Sequence, residues 1–106
     1  MTDLEIRTKL LLSLQRALLG AVSPAFREVS CGWQAKQITL RFVYDGEISE
    51  ADFDAAHIVG AEVISDFPDG WNIEEDIVRL DAPKKLVQPE TAAILVFRKR
   101  EFLEEV

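Results

Sequence analysis

Gln37-Ile38-Thr39-Leu40-Arg41-Phe42-Val43-Tyr44 alternates without a break, with Ile38, Leu40, Phe42 and Tyr44 on one side and Thr39, Arg41 and Val43 on the other. A strand repeats every two residues, so this stretch predicts a strand with one face in a core. Reading backwards, Phe26 to Trp33 predicts a preceding strand. Val29, Cys31 and Trp33 share one of its sides, Glu28, Ser30 and Gly32 the other, and Gln34-Ala35-Lys36 forms the tip of a hairpin. Reading forwards, Asp45-Gly46 ends the second strand.

On either side of this hairpin the period changes to that of a helix. Thr2-Asp3-Leu4-Glu5 has the spacing of a capping box. After it Leu4, Ile6, Leu10, Leu11, Leu14, Leu18 and Ala21 recur at three and four residues, and Leu12 and Leu19 make the apolar stripe unusually wide. Gly20 and Ser23-Pro24 end that helix. A second begins at Ser49-Glu50-Ala51-Asp52, where acids fill the first turn as the helix dipole favours. Its predicted inner face is Phe53, Ala56, His57, Gly60, Val63, Ile64 and Phe67, and it stops at Asp66-Phe67-Pro68-Asp69-Gly70. Trp71 to Leu80 predicts a third strand, whose alternation fails around Glu74-Glu75-Asp76 in the manner of a bulge. Ala82 to Glu90 is a loop. Ala92 to Arg100 predicts a fourth strand, apolar on both faces and so expected inside the sheet. The order αββαββ specifies an α+β fold in one domain, residues 1–106, with a four-stranded, mainly antiparallel sheet packed against two helices.

The size suits a single core: about two-thirds of the unfolded surface is buried at this length. An apolar content of 48% is that of a globular chain. The lone cysteine, Cys31, excludes an internal disulfide and a cysteine-based zinc cluster. The N-terminus lacks a basic, signal-like start, and no apolar run approaches the ~18 residues of a spanning segment, so a cytoplasmic protein is expected.

Charge is the strongest functional signal. From Asp45 to Asp81 the chain holds twelve acids and one base, Arg79, so this third of the molecule stands at −11 and the remainder at +4. Such a surface repels polyanions and attracts a basic partner. The same acids read blandly as a solvated helix face, which accounts for Glu50, Asp52 and Asp54 but not for the near absence of Lys and Arg over 37 residues. The candidate partner-binding residues are therefore Tyr44, Asp45, Glu47, Glu50, Asp52, Asp54, Asp66, Asp69, Trp71, Glu74, Glu75 and Asp76. Trp71 and Tyr44 are possible anchors, Trp33 another, although core packing is the ordinary role of each. Glu74 and Asp76 fall on one side of a strand and have the chemistry for a divalent cation, but no calcium-loop pattern accompanies them, and no metal or other cofactor is expected. His57 has no orienting partner or nucleophile in the sequence and reads as structural. Cys31 reads as a small buried hydrophobe. Arg98, Lys99 and Arg100 lack the aromatic platforms of a nucleic-acid reader.

Three segments together carry a resemblance. They are Leu14-Gln15-Arg16-Ala17-Leu18-Leu19-Gly20 with Ser23-Pro24; Tyr44-Asp45-Gly46-Glu47-Ile48-Ser49-Glu50; and Val63-Ile64-Ser65-Asp66-Phe67-Pro68-Asp69 with Arg79-Leu80-Asp81. From about Leu10 to Arg100 the chain resembles small acidic bacterial immunity proteins of contact-dependent growth inhibition and polymorphic toxin systems. The resemblance implies a non-enzymatic inhibitor that binds a cognate toxin domain, often a nuclease with a basic active site; a monomer or weak dimer is expected. Two other readings stand beside it. One is a self-assembling accessory subunit that uses Leu12 and Leu19; the other is a small enzyme using carboxylates, with or without a metal.

Overall fold

The computed structural model describes residues 1–87 and 89–101. Seven elements follow in order: helix α1 (Asp3–Ala17), strands β1 (Phe26–Gln34) and β2 (Gln37–Tyr44), helix α2 (Glu50–Ser65), strand β3 (Asn72–Arg79), a single 3-10 turn (Glu90–Ala92) and strand β4 (Ile94–Arg98). The α+β architecture is the one expected, with the strands in the order β3-β2-β1-β4. The sheet is mixed. β1 pairs antiparallel with both β2 and β4, whereas β2 and β3 run parallel. A parallel pair needs a crossover, and α2 supplies it.

Local signals set the helix boundaries. The Thr2 hydroxyl accepts from the Glu5 amide at 3.1 Å while the Glu5 carboxylate accepts from the Thr2 amide at 3.3 Å, closing the capping box. The Ser49 hydroxyl accepts from the Asp52 amide at 3.1 Å and starts α2. At the hairpin tip the turn is two residues, Ala35-Lys36, since Gln34 and Gln37 are already paired. Ala35 sits there at φ 55, in the left-handed region.

Both helices cover the face of the sheet that carries Ile38, Leu40, Phe42 and Tyr44, all four fully buried as the alternation required. Leu10 and Leu14 of α1 and Ala56, Val59 and Val63 of α2 complete the core. The inner face of α2 differs from the one read from sequence: Phe53 is 40% exposed and the His57 side chain lies outside. The buried face is instead Asp52, Ala56, Val59, Gly60 and Val63, because α2 approaches β3 closely at Gly60 and turns its small residues inward. On α1, Leu4 and Leu12 are likewise exposed, as is Leu19 in the turn that follows it.

Two sequence expectations about the sheet are corrected. β3 is in unbroken register with β2 from Asn72 to Arg79, so there is no bulge at Glu74-Glu75-Asp76; the odd run reflects an edge strand with one acid on the helix side and two on the other. β4 lies at the opposite edge, not inside. Its register against β1 shifts between Phe97 and Leu95, which leaves Val96 as an extra residue and brings neighbouring apolar side chains against the core. From β3 the chain crosses to β4 over the second face of the sheet, and its 3-10 turn rests on β1 and β2, against Gly32.

Candidate functional site

The parallel β2–β3 pairing controls where the acids go. It returns the end of β3 to the end of β2, so Leu80 N–H donates to the Tyr44 carbonyl at 2.9 Å. Gly46, at φ 82, turns the chain and donates its N–H to Asp81 at 2.8 Å. Asp45 accepts from the Ala82 amide at 3.1 Å. Arg79, the one base of the acidic tract, pairs with Asp81 at 3.0 Å. That pair holds the Asp81 carboxyl below its ordinary range, helped by the Gly46 amide, and raises the Arg79 guanidinium, to which Glu47 and Asp45 also contribute. Asp45, Glu47 and Glu50 are thus gathered and exposed at this end, followed by Asp54 one turn along α2. Asp45, Glu47, Glu50 and Asp54 make no ion pair among the described residues.

Tyr44 and Asp52 support this end from within. Tyr44 is fully buried, its ring 4.6 Å from that of Phe26 and its hydroxyl pointing at the Asp52 carbonyl at 3.4 Å. Burial pushes its phenol well above the usual range. Asp52 is 8% exposed.

The remaining acids lie elsewhere. Asp66 caps the C-terminus of α2, where its carboxylate accepts from Ser13 at 2.6 Å and pairs with Arg16. The Ser13 hydrogen bond first, then Arg16 and Lys9, draws its carboxyl below the ordinary value. Asp69 is exposed in the turn before Trp71, and Trp71 is half-buried against Phe67, with ring centres 5.0 Å apart. On β3, Glu74 is exposed on the face away from the helices, beside a cleft with Trp33, Gln37 and Thr39. Asp76, on the same side, pairs with Arg41 at 3.0 Å. Glu75 points the other way, beneath Gly60, with its Oε1 3.2 Å from His57 Nδ1. The tract is therefore divided among several places, and some of its charges are already answered within the chain.

No group of three or more His, Cys, Asp or Glu among the described residues is arranged to hold a metal ion. Cys31 is fully buried, and desolvation pushes its thiol up to about 12. A thiol so placed is a packing group. No helix among the described residues is long and apolar enough to cross a membrane.

Two features escape a reading by apolar face alone. One is the row Glu50, Asp54, Ile58 and Glu62 on α2, spaced by four and exposed throughout. The spacing is present in the sequence, but placing Phe53 and His57 inward turns this row away from notice. The other is Arg27, 2% exposed, whose guanidinium donates to Glu101, to the Leu80 carbonyl at 2.7 Å and to the Lys84 carbonyl at 2.9 Å. Nothing local in the sequence marks it, since its partners lie over fifty residues away.

No curated protein matches the chain. A family model does match, over residues 7–101, which takes in most of α1, all of α2, all four strands and the end where Asp45, Glu47 and Glu50 gather. On that match, covering nearly the whole chain, this protein belongs to the MafI2 immunity protein family.

Proposed function

We propose that the chain neutralises its cognate toxin by binding it, without catalysis, and that the toxin domain is a nuclease with a basic active site. Membership of an immunity family supports the toxin partner. The observation that carries the finer reading is the group of carboxylates at the junction of β2 and α2 that make no ion pair among the described residues: Asp45, Glu47, Glu50 and Asp54, exposed together where the single base of the tract is already engaged by Asp81. Asp69 and Glu74 extend the negative field, with Trp71, two residues from Asp69, as an anchor. Asp66, Glu75 and Asp76 hold the scaffold through their own partners, and Tyr44 and Asp52 shape the site from beneath.

In this reading the carboxylates occupy the places that substrate phosphates would take on the toxin. Fixed acids facing a cationic cleft steer encounter and exclude the polyanion. The chain acts in the cytoplasm of the producing cell, in a contact-dependent or related polymorphic toxin system. Growth rescue tests the reading. The toxin domain encoded in the neighbouring reading frame is induced with the wild type or with Glu47→Lys/Glu50→Lys/Asp54→Lys. Rescue by the wild type and its loss in a folded triple variant is the expected result. Full rescue by the charge-reversed protein would remove these acids from the account.

A further inference from the structure

The exposed side of the helix layer combines charge with an apolar centre. Glu50, Asp54, Ile58 and Glu62 form one ridge of α2, because residues four apart stack on a helix. The three acids have no ion-pair partner among the described residues, and Ile58 between them is 58% exposed. Across from Ile58 lies Leu19, 80% exposed at the turn that follows α1. Leu19, Ala21, Ala55, Ile58 and Glu62 border one open depression of about 170 Å³. Pockets for small molecules run to roughly 300–1,000 Å³, so this one suits a side chain from another protein. An apolar centre with a charged rim is the anatomy of a protein interface.

We infer that this depression, lined by Leu19 and Ile58 with Glu62 at its border and Asp54 one turn along the same ridge of α2, is the docking surface for the toxin domain, which presents an apolar side chain flanked by Lys or Arg. The inference rests on the immunity reading. It commits to a basic partner over a second copy of this chain, because a two-fold contact would set Asp54 and Glu62 of each copy against the same residues of the other on a protein already at −7. It also prefers this face to the larger groove along Leu4 and Leu12, whose bases Lys9 and Arg16 are bound to Asp66.

The test uses the purified toxin domain from the neighbouring reading frame and three full-length proteins: wild type, Leu19→Lys/Ile58→Lys and Leu12→Lys. The side chains are exposed, so the variants fold, and circular dichroism confirms it. Loss of affinity by about 30-fold or more in the double variant, with Leu12→Lys unchanged, is the expected result, matching a hot spot. Equal affinity for wild type and double variant would overturn this docking face while leaving the immunity reading intact. Loss confined to Leu12→Lys would move the interface to the other groove. A wild type that neither binds nor rescues would remove the immunity reading and this surface with it. A wild-type dimer that falls apart on Leu19→Lys/Ile58→Lys would give the depression to a second copy.

Discussion

At Gly32 an added methyl would lie 2.9 Å from the Thr91 carbonyl carbon and 3.3 Å from the Ala92 Cα, closer still to the Thr91 oxygen. Both are backbone, so the crossing segment would have to lift from the sheet. Gly32→Ala is expected to cost about 1–3 kcal/mol, the usual range for overpacking, read as a lowered midpoint in urea denaturation. Gly60 provides the contrast. Its added methyl would meet the Glu75 carboxylate, the free end of a flexible side chain, so Gly60→Ala should cost less and chiefly displace Glu75 from His57. Equal losses at the two positions would mean the crossing segment yields as easily as a side chain. Neither role is legible in sequence. Gly32 stands in an alternating strand and Gly60 within a helix, and the neighbour that demands glycine lies some fifteen residues away in one case and some sixty in the other.

At the scale of the elements, the two helices are tied together at Asp66. A carboxylate is a poor occupant of a helix C-terminus, where the dipole is already negative, and Lys9, Ser13 and Arg16 of α1 compensate for it. Its pKa lies below the unfolded value, so its contribution is complete above about pH 4 and disappears as pH falls through the lower folded pKa. Asp81 and Glu101 are shifted in the same direction by Arg79 and Arg27, and stability should decline on acidification below that point. Asp66→Asn should therefore be less stable than the wild type at pH 7, and the gap should close towards pH 2 in a series of denaturation curves. A gap independent of pH would assign the loss to geometry and not to the charge. The sequence marks Asp66 only as the start of a turn. That Ser13 and Arg16 would face it depends on how α1 crosses α2, which no local pattern encodes.

For the molecule as a whole, the decisive quantity is where the −11 of residues 45–81 is left unanswered. Association with the toxin domain should slow steeply as salt rises from about 0.05 to 0.5 M, since the screening length shortens from over 10 Å to a few ångströms. Stopped-flow rates should show a shallower salt dependence for Glu47→Lys/Glu50→Lys/Asp54→Lys; identical slopes would place the steering charge elsewhere. Much of this architecture was determined by the sequence alone. The alternation from Ile38 to Tyr44 needs only the two-residue period of a strand, and the caps at Thr2 and Ser49 need only neighbours three residues away. Helices, strands, a shared core and an acidic middle follow from such short-range chemistry. Only the tertiary structure decided that β3 runs parallel to β2, that β4 lies at an edge, that Tyr44 is buried, and that Asp66, Asp76 and Asp81 are paired while Glu47, Glu50 and Asp54 have no ion pair among the described residues. Those outcomes turn on which elements become neighbours, a choice made by packing the whole core at once, and a residue's charge is functional only when no such neighbour neutralises it.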